Sequence, residues 1–182
     1  MPDKEKNPPQ AACRFVPLKG YGAFETVFKH GSRFAYRGVT GFILFRAVVT
    51  NALANASQTK SAAEFARFAA LPENAVALGV AAKRRTRPAA MRNRIKRILR
   101  DGARQALRAT PELGPQFPND ENVAVAAIVL VCNIVPAKPS LLHLRDVQPL
   151  VERIFQNVVR YATSSRKPRP AAAVAETQAD SA

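Results

Sequence analysis

Apolar residues recur at helix and strand spacings in the first half of the chain. Lys19 to His30 has apolar side chains at i, i+3 and i+4, which predicts a short helix that ends at Gly31. Phe34 to Phe45 is rich in β-branched and aromatic residues and predicts a strand, which internal glycines weaken or bulge. Alternation places these side chains on one face of that strand: Phe34, Tyr36, Thr40, Phe42 and Leu44.

The second half continues the alternation of strands and helices. Ala75 to Ala82 predicts a strand, and Val123 to Val135 is a continuous apolar run that is typical of a strand buried on both faces. Leu144 to Tyr161 has the helical period. Asn51 to Ala70 fits either a helix or an insertion loop, and the prolines of Thr110 to Asn122 predict a loop. This order predicts an α+β fold, a two-layer α/β sandwich.

Composition marks the two ends of the chain. Residues 1–17 are polar and contain proline, which predicts a flexible N-terminal arm. Residues 163–182 are rich in Ala and carry a Pro-Arg-Pro run, which predicts a disordered tail. Residues 18–162 are expected to form one domain with an insertion at about 48–72.

The chain of 182 residues has a net charge of +15. Its hydrophobic share of 47% is that of a globular protein, so the charge does not mark a disordered polycation. No apolar run reaches the length of a membrane-spanning helix, no secretory signal is visible, and two cysteines cannot form a disulfide framework. These features predict a cytoplasmic protein whose partner is nucleic acid rather than a membrane or a small molecule.

Most of the charge lies in one segment. Lys83 to Arg108 carries eleven basic side chains against Asp101 alone, a net charge of +10. A helix that begins near Pro88 would place the basic side chains opposite an apolar stripe: Met91, Ile95, Ile98, Leu99, Gly102 and Ala106. A solvated helix face usually mixes both signs of charge, so a phosphate-bearing partner is favoured. A calmodulin-target or membrane-surface helix is the rival, but both prefer bulkier apolar faces.

The sequence offers little chemistry for catalysis or metal binding. His30, His143, Cys13 and Cys132 form no pair with metal-ligand spacing, and no glycine-rich phosphate loop is present. The acidic residues are scattered, so no two-metal cluster can be assembled. His30 is favoured as a capping or RNA-contacting residue, and Cys132 as a small buried hydrophobe. We expect neither a catalytic nor a metal-binding residue in this chain.

Two motifs resemble the bacterial ribonuclease P protein family. Met91 to Arg100, the stretch MRNRIKRILR, preceded by Arg84 and Arg85, resembles the family's basic motif. Phe24 to Ser32 resembles its N-terminal Phe-x-x-Val-Phe-Lys-x-Gly motif, and the resemblance extends from about residue 18 to residue 161. The turn before the basic helix departs from the family pattern, because Arg87 stands where glycine is usual.

The resemblance implies a mixed sheet of four strands with about three helices and a left-handed βαβ crossover. It also implies a protein subunit that binds a catalytic RNA and the 5′ leader of precursor tRNA, while that RNA cleaves the leader with bound Mg²⁺. The residues that match and would contact RNA through the basic motif are Arg84, Arg85, Arg92, Asn93, Arg94, Lys96, Arg97 and Arg100.

A second set would line a cleft for the single-stranded leader. It consists of Phe24, Phe28, Lys29, Arg37 and Phe42. An aromatic ring is a stacking surface for any base, but the two phenylalanines of the first helix could also be core residues. Two other functions stay open: a structural RNA-binding protein of the ribosomal type and an architectural DNA-binding protein.

Overall fold

Ten elements make up the fold in a computed structural model. The structure describes residues 13–55, 60–72, 74–83, 86, 89–110, 113, 124–134, 138 and 141–164. The strands are β1 (Arg14–Pro17), β2 (Ser32–Tyr36), β3 (Val39–Phe45), β4 (Ala75–Ala82) and β5 (Val125–Cys132). The helices are α1 (Tyr21–His30), α2 (Arg46–Ala54), α3 (Lys60–Ala69), α4 (Ala89–Ala109) and α5 (Leu144–Thr163). The α+β class predicted from the sequence is confirmed.

The strands form one mixed sheet in the order β1-β4-β5-β3-β2. β1, β4 and β5 are parallel, whereas β3 is antiparallel to β5 and β2 is antiparallel to β3. One row of the register joins Gly79, Val129, Phe42 and Arg33 across four strands. Directly paired residues point to the same face of a sheet, so these four positions share a face.

Helices cover both faces of this sheet, so the prediction of two layers is wrong. On one face, Ile95 of α4 and Val151 of α5 belong to the same buried cluster. On the other face, Val27 of α1 and Phe65 of α3 belong to a second cluster. The central strands β4 and β5 are buried along most of their length, because their alternating side chains are apolar on both sides and need cover on both.

The segment from Phe34 to Phe45 is a hairpin rather than one strand. Arg37 and Gly38 form its turn with φ values of 40° and 85°. Positive φ at both central residues is what a two-residue type I′ turn requires. The segment therefore contributes two strands, β2 and β3. Together with β1 they bring the sheet of the described residues to five strands instead of the four expected.

The turn also overturns the prediction of a common face for the aromatic residues of this segment. The Phe34 ring contacts Tyr161 of α5, with centroids 5.5 Å apart. The Phe42 ring instead contacts Phe28 of α1, with centroids 4.8 Å apart. Because two turn residues interrupt the alternation, Phe34 of β2 and Phe42 of β3 lie on opposite faces of the sheet.

β1 is an edge strand that lies inside the predicted N-terminal arm. Arg14–Pro17 pairs with β4, and the Leu18 amide donates to the carbonyl of Leu78 at 3.0 Å. The arm prediction is therefore wrong for residues 14–17. Residues 1–12 of the arm lie outside the described residues, as does the tail after Ser164.

The segment that fits a helix or a loop forms the end of α2 and all of α3, so the described residues contain five helices instead of about three. Arg46 at the start of α2 donates from Nη2 to the carbonyl oxygens of Pro72 and Ala75, at 2.8 and 3.1 Å. These bonds hold both ends of the insertion together at the sheet. Phe65 and Phe68 of α3 are buried in the cluster beneath α1.

β4, α4 and β5 form a βαβ unit between neighbouring parallel strands. The left-handed crossover expected from the resemblance stays a prediction. The basic turn with Arg84, Arg85 and Arg87 lies outside the described residues. α4 therefore carries the part of the basic motif that the structure positions.

Candidate nucleic-acid interface

α4 is divided lengthwise into a buried apolar side and an exposed polar side. Its buried residues are Met91, Ile95, Ile98, Leu99, Gly102, Ala103 and Ala106, which confirms the predicted stripe. At about 100° per residue, a second set falls within an arc of about 80° on the opposite side. These residues, which we call the basic ridge, are Asn93, Arg97, Arg100, Arg104 and Arg108, all of them exposed.

The ridge is a row of one amide side chain, that of Asn93, and four guanidinium groups. Its members follow the spacing i, i+4, i+7, i+11 and i+15, and at about 1.5 Å per residue the row is about 22 Å long. The side chains of Arg97 and Arg104 are 85% and 62% exposed. Two of the five members, Arg104 and Arg108, continue the row beyond the family motif.

Two arginines of the motif lie at the borders of the ridge and hold backbone segments. Arg92 donates from Nη1 to the carbonyl of Thr86 at 3.0 Å. Arg94 donates from Nε and Nη2 to the carbonyl of Leu142, at 3.2 Å each. Lys96, half-buried, lies at the same border as Arg92. Their predicted RNA contacts stay predictions, and the structure gives both arginines a part in packing.

Asp101 is the acidic residue of α4, and it lies between two ridge arginines. Its Oδ1 accepts a hydrogen bond from Nη1 of Arg104 at 3.0 Å, and its Oδ2 lies 3.9 Å from Nε of Arg97. All three side chains are exposed, so water and salt screen the attraction. The pairs orient the guanidinium groups but contribute little to stability.

Three of the rings predicted for the leader cleft form one group on the other face of the sheet. Phe28 lies between Phe24 and Phe42, with centroid distances of 6.4 and 4.8 Å. We call these three residues the aromatic cluster. Phe28 is 38% exposed and the other two rings are half-buried, so the cluster is neither core nor free surface.

A glycine in β4 makes room for the cluster. A Cβ atom at Gly79 would lie 2.8 Å from Cε1 of Phe24 and 3.0 Å from Cδ2 of Leu18. The Phe24 ring therefore rests directly on the backbone of the sheet. The cluster spans the sheet from Gly79 in β4 to Phe42 in β3.

One cation predicted for the cleft, Arg37, lies away from the aromatic cluster, whereas Arg33, which the sequence analysis did not single out, lies beside it. Arg37 lies at the hairpin tip with its guanidinium 5.6 Å from the ring centroid of Tyr36, a residue of the opposite face. Arg33 is the residue paired directly with Phe42, and it is exposed. Cβ atoms of such pairs are about 5 Å apart, so Arg33 starts beside the aromatic cluster. Lys29 is exposed on α1, next to Phe28 in the chain.

Sequence reasoning misses Arg33 because it misses the hairpin. A two-residue turn at Arg37 and Gly38 pairs Tyr36 with Val39 and therefore pairs Arg33 with Phe42. An Arg-Gly pair is a weaker hairpin signal than Asn-Gly, although the glycine supplies one of the two positive φ values. Gly38 does indicate a break in the strand, but a glycine within a strand pattern indicates a bulge as readily as a hairpin turn.

The remaining chemistry-bearing side chains are dispersed. Among the described residues, no group of three or more His, Cys, Asp or Glu side chains could hold a metal ion. His30 packs its ring on Phe65 at 5.0 Å, and burial together with the charge of Lys29 lowers its pKa against the effect of Glu64. Burial raises the pKa of the Cys132 thiol, as expected of a small buried hydrophobe.

Comparison with known proteins identifies the family. The family model for ribonuclease P matches residues 14–126, more than half of the chain. The chain belongs to the ribonuclease P protein family. It is therefore the protein subunit of a ribonucleoprotein endoribonuclease that processes the 5′ end of tRNA.

A solved structure of a bacterial protein resembles this chain. The chain is similar to the Staphylococcus aureus RNase P protein, with 14% identity and a TM-score of 0.47 over 81% of this chain and 95% of that one. No curated protein sequence matches the chain.

Family membership replaces the two alternatives that the sequence left open, a structural RNA-binding protein of the ribosomal type and an architectural DNA-binding protein. Within the described residues, every helix is too short or too polar to cross a membrane. The cytoplasmic location stays a prediction.

Proposed function

We propose that this subunit binds the catalytic RNA through the basic ridge and the leader of precursor tRNA through the aromatic cluster. The two surfaces lie on opposite faces of the sheet, since α4 packs on one and α1 on the other. One protein can therefore hold two RNA segments at once. The protein then contributes position, and the cleavage chemistry belongs to the RNA.

The observation that carries the ridge assignment is its charge, which Asp101 alone compensates, and only in part, among the residues that the structure describes. Neighbouring arginines at i, i+3 and i+4 repel one another and cost a helix about 0.2–0.5 kcal/mol per pair. Asp101 offsets only part of this repulsion. A row of phosphates offsets the rest, because each guanidinium can make two parallel hydrogen bonds to one phosphate. Asn93 can donate to a phosphate or a ribose hydroxyl.

The turn before α4 extends the same proposal. Arg84 and Arg85 precede the helix in the chain, and Lys96 borders the ridge. We assign these three residues to RNA binding, together with Arg92 and Arg94 at the borders of the ridge. The two latter residues contact RNA only with donors that their carbonyl partners do not use.

The leader assignment rests on the exposure of the aromatic cluster. An exposed ring beside a sheet is a platform on which a base of any identity can stack, worth about 1–3 kcal/mol. Phe28 offers such a ring, and Phe24 and Phe42 hold it from both sides. Arg33 and Lys29 supply charge for the leader phosphates on either side of the ring. Stacking explains how one site can accept leaders of different sequence.

Mg²⁺ enters this proposal as a cation of the RNA. The described residues do not fit a protein site for it, since Asp101 is engaged by two arginines and no acidic cluster surrounds it. We assign the cation to the phosphates of the RNA subunit. No step of the protein's part depends on it.

The ridge is tested with Arg100→Gln and Arg108→Gln, singly and together, after reconstitution with the catalytic RNA. Each lost contact should reduce the salt slope of log K by about 0.7–0.9. Arg67→Gln is the charge-matched control, because Arg67 is exposed on α3, on the other face of the sheet. Equal losses in the control and the ridge variants would show a general charge effect and overturn the assignment.

The leader site is tested with Phe28→Ala. The variant should bind precursor tRNA with a free energy weaker by about 1–3 kcal/mol, the value of one stacking contact, while mature tRNA binds as before. Equal losses for both substrates would return Phe28 to a purely structural role.

A further inference from the structure

α1 carries a third exposed ring that the aromatic cluster does not include. Tyr21, its first residue, is 84% exposed. Tyr21, Phe24 and Phe28 follow the spacing i, i+3 and i+7, which places all three within about 60° of one another around the helix. The buried side of α1 is formed instead by Ala23 and Val27. The stripe of three rings is therefore one continuous flank.

The direction of α1 over the sheet places Tyr21 at one end of a path. Phe28 touches Phe42 in β3, and Phe24 rests on Gly79 in β4, with β5 between them. One further turn of helix leads from Phe24 to Tyr21, toward the edge strand β1 that precedes α1 in the chain. Phe28 comes seven positions after Tyr21, a distance of about 10.5 Å along the helix.

The other end of the path is Arg33. It lies on β2, at the opposite edge of the sheet from β1. Neighbouring strands are about 4.8 Å apart, so the five strands span about 19 Å from edge to edge. A distance of about 19 Å is more than a single base stacked on the aromatic cluster would cover.

We propose that Tyr21 is a separate stacking platform for the leader, one that contacts a different nucleotide from the one at Phe28. This inference rests on the proposed leader site and extends it along α1. Because Tyr21 is 84% exposed, a base can reach its ring without displacing another side chain, and removal of the ring leaves the core intact. The consequence is a binding strength that depends on the length of the leader.

The experiment uses the holoenzyme and precursors whose leaders are lengthened by single nucleotides, with mature tRNA as the start of the series. Affinity is measured for the wild type, Tyr21→Ala, Tyr21→Phe and Phe28→Ala. We expect Tyr21→Ala to lose at least about fivefold on the longest leader, and Tyr21→Phe to restore the affinity because the ring suffices. The Tyr21→Ala loss should set in at a different leader length from the Phe28→Ala loss.

Leu141→Ala is the matched control, since Leu141 is a large apolar residue, 59% exposed, near the start of α5. It should follow the wild type at every leader length. If Tyr21→Ala also follows the wild type while Phe28→Ala loses affinity, the inference fails and the proposed leader site stands. If neither variant loses affinity, the leader site itself fails. If Tyr21→Ala reduces the affinity for precursor tRNA and for mature tRNA by the same factor, the inference also fails.

Discussion

Arg94 donates two hydrogen bonds to a single acceptor, the carbonyl oxygen of Leu142, through Nε and Nη2. Leu142 is itself buried just before α5, so the two bonds tie the basic helix to the helix packed beside it. One arginine of the basic motif therefore has a structural role that the arginines of the basic ridge do not share.

Arg94→Lys should separate these two duties. Lysine keeps the charge but cannot make both bonds, so we expect a loss of about 1 kcal/mol in unfolding free energy and nearly unchanged affinity for the catalytic RNA. Urea unfolding and RNA binding measure the two effects. Arg97→Lys, on the exposed ridge, should leave the stability unchanged. If Arg94→Lys weakens RNA binding at full stability, the structural duty is not the main one.

Asp101→Asn should strengthen binding to the catalytic RNA. The substitution removes the carboxylate that holds Arg97 and Arg104 and raises the charge of the ridge by one. Exposed pairs are worth about 0.2–1 kcal/mol, so the gain in affinity should be a few-fold at low salt and should fade as salt rises. A gain that persists at high salt, or a loss, would contradict this account.

Gly79→Ala should disturb the proposed leader site from the side of the sheet. The added methyl group would lie 2.8 Å from the Phe24 ring, and overpacking of this kind costs about 1–3 kcal/mol. Phe24→Leu in the same chain should recover part of that stability by making room, so the two effects should not add. Thermal unfolding of the single and double variants gives the coupling. Strict additivity would mean that Gly79 is needed for another reason.

His30 should make the protein less stable at acidic pH. Burial lowers its pKa in the folded state, so the unfolded chain binds the proton more readily. The stability is complete above the unfolded pKa of about 6.5 and decreases as pH falls through the lower folded pKa. We expect His30→Gln to show a smaller drop in unfolding free energy between pH 7.5 and pH 5 than the wild type, measured by urea unfolding. An identical drop in both would exclude His30 as the source.

The basic helix could be predicted from the sequence because its signal is local. Seven buried positions repeat along α4 from Met91 to Ala106, and a helix with one apolar side must turn its charges outward. The same holds for Phe24 and Phe28, whose spacing on α1 needs no knowledge of the sheet. In a helix with a regular apolar period, the sequence alone predicts both the helix and the side that is buried.

What the sequence does not show depends on pairing between distant segments. β1 is four residues long and ends in Pro17, so its only strong evidence is its ladder with β4. The partner of Phe42 depends on where the chain turns, and a shift of one residue would send Arg33 to the other face. The run in β5 does indicate burial on both sides, yet part of the cover on one face comes from α2 and α3, in the segment that fits a loop equally well.

Arg46 joins the two ends of the α2–α3 segment at one point of the sheet. The helices themselves belong to the core through Val49, Phe65 and Phe68, but a segment closed at its base in this way can be lengthened between its two helices while the strands on either side keep their places. A peptide tag or fluorescent label inserted between α2 and α3 should therefore leave the order of the strands intact.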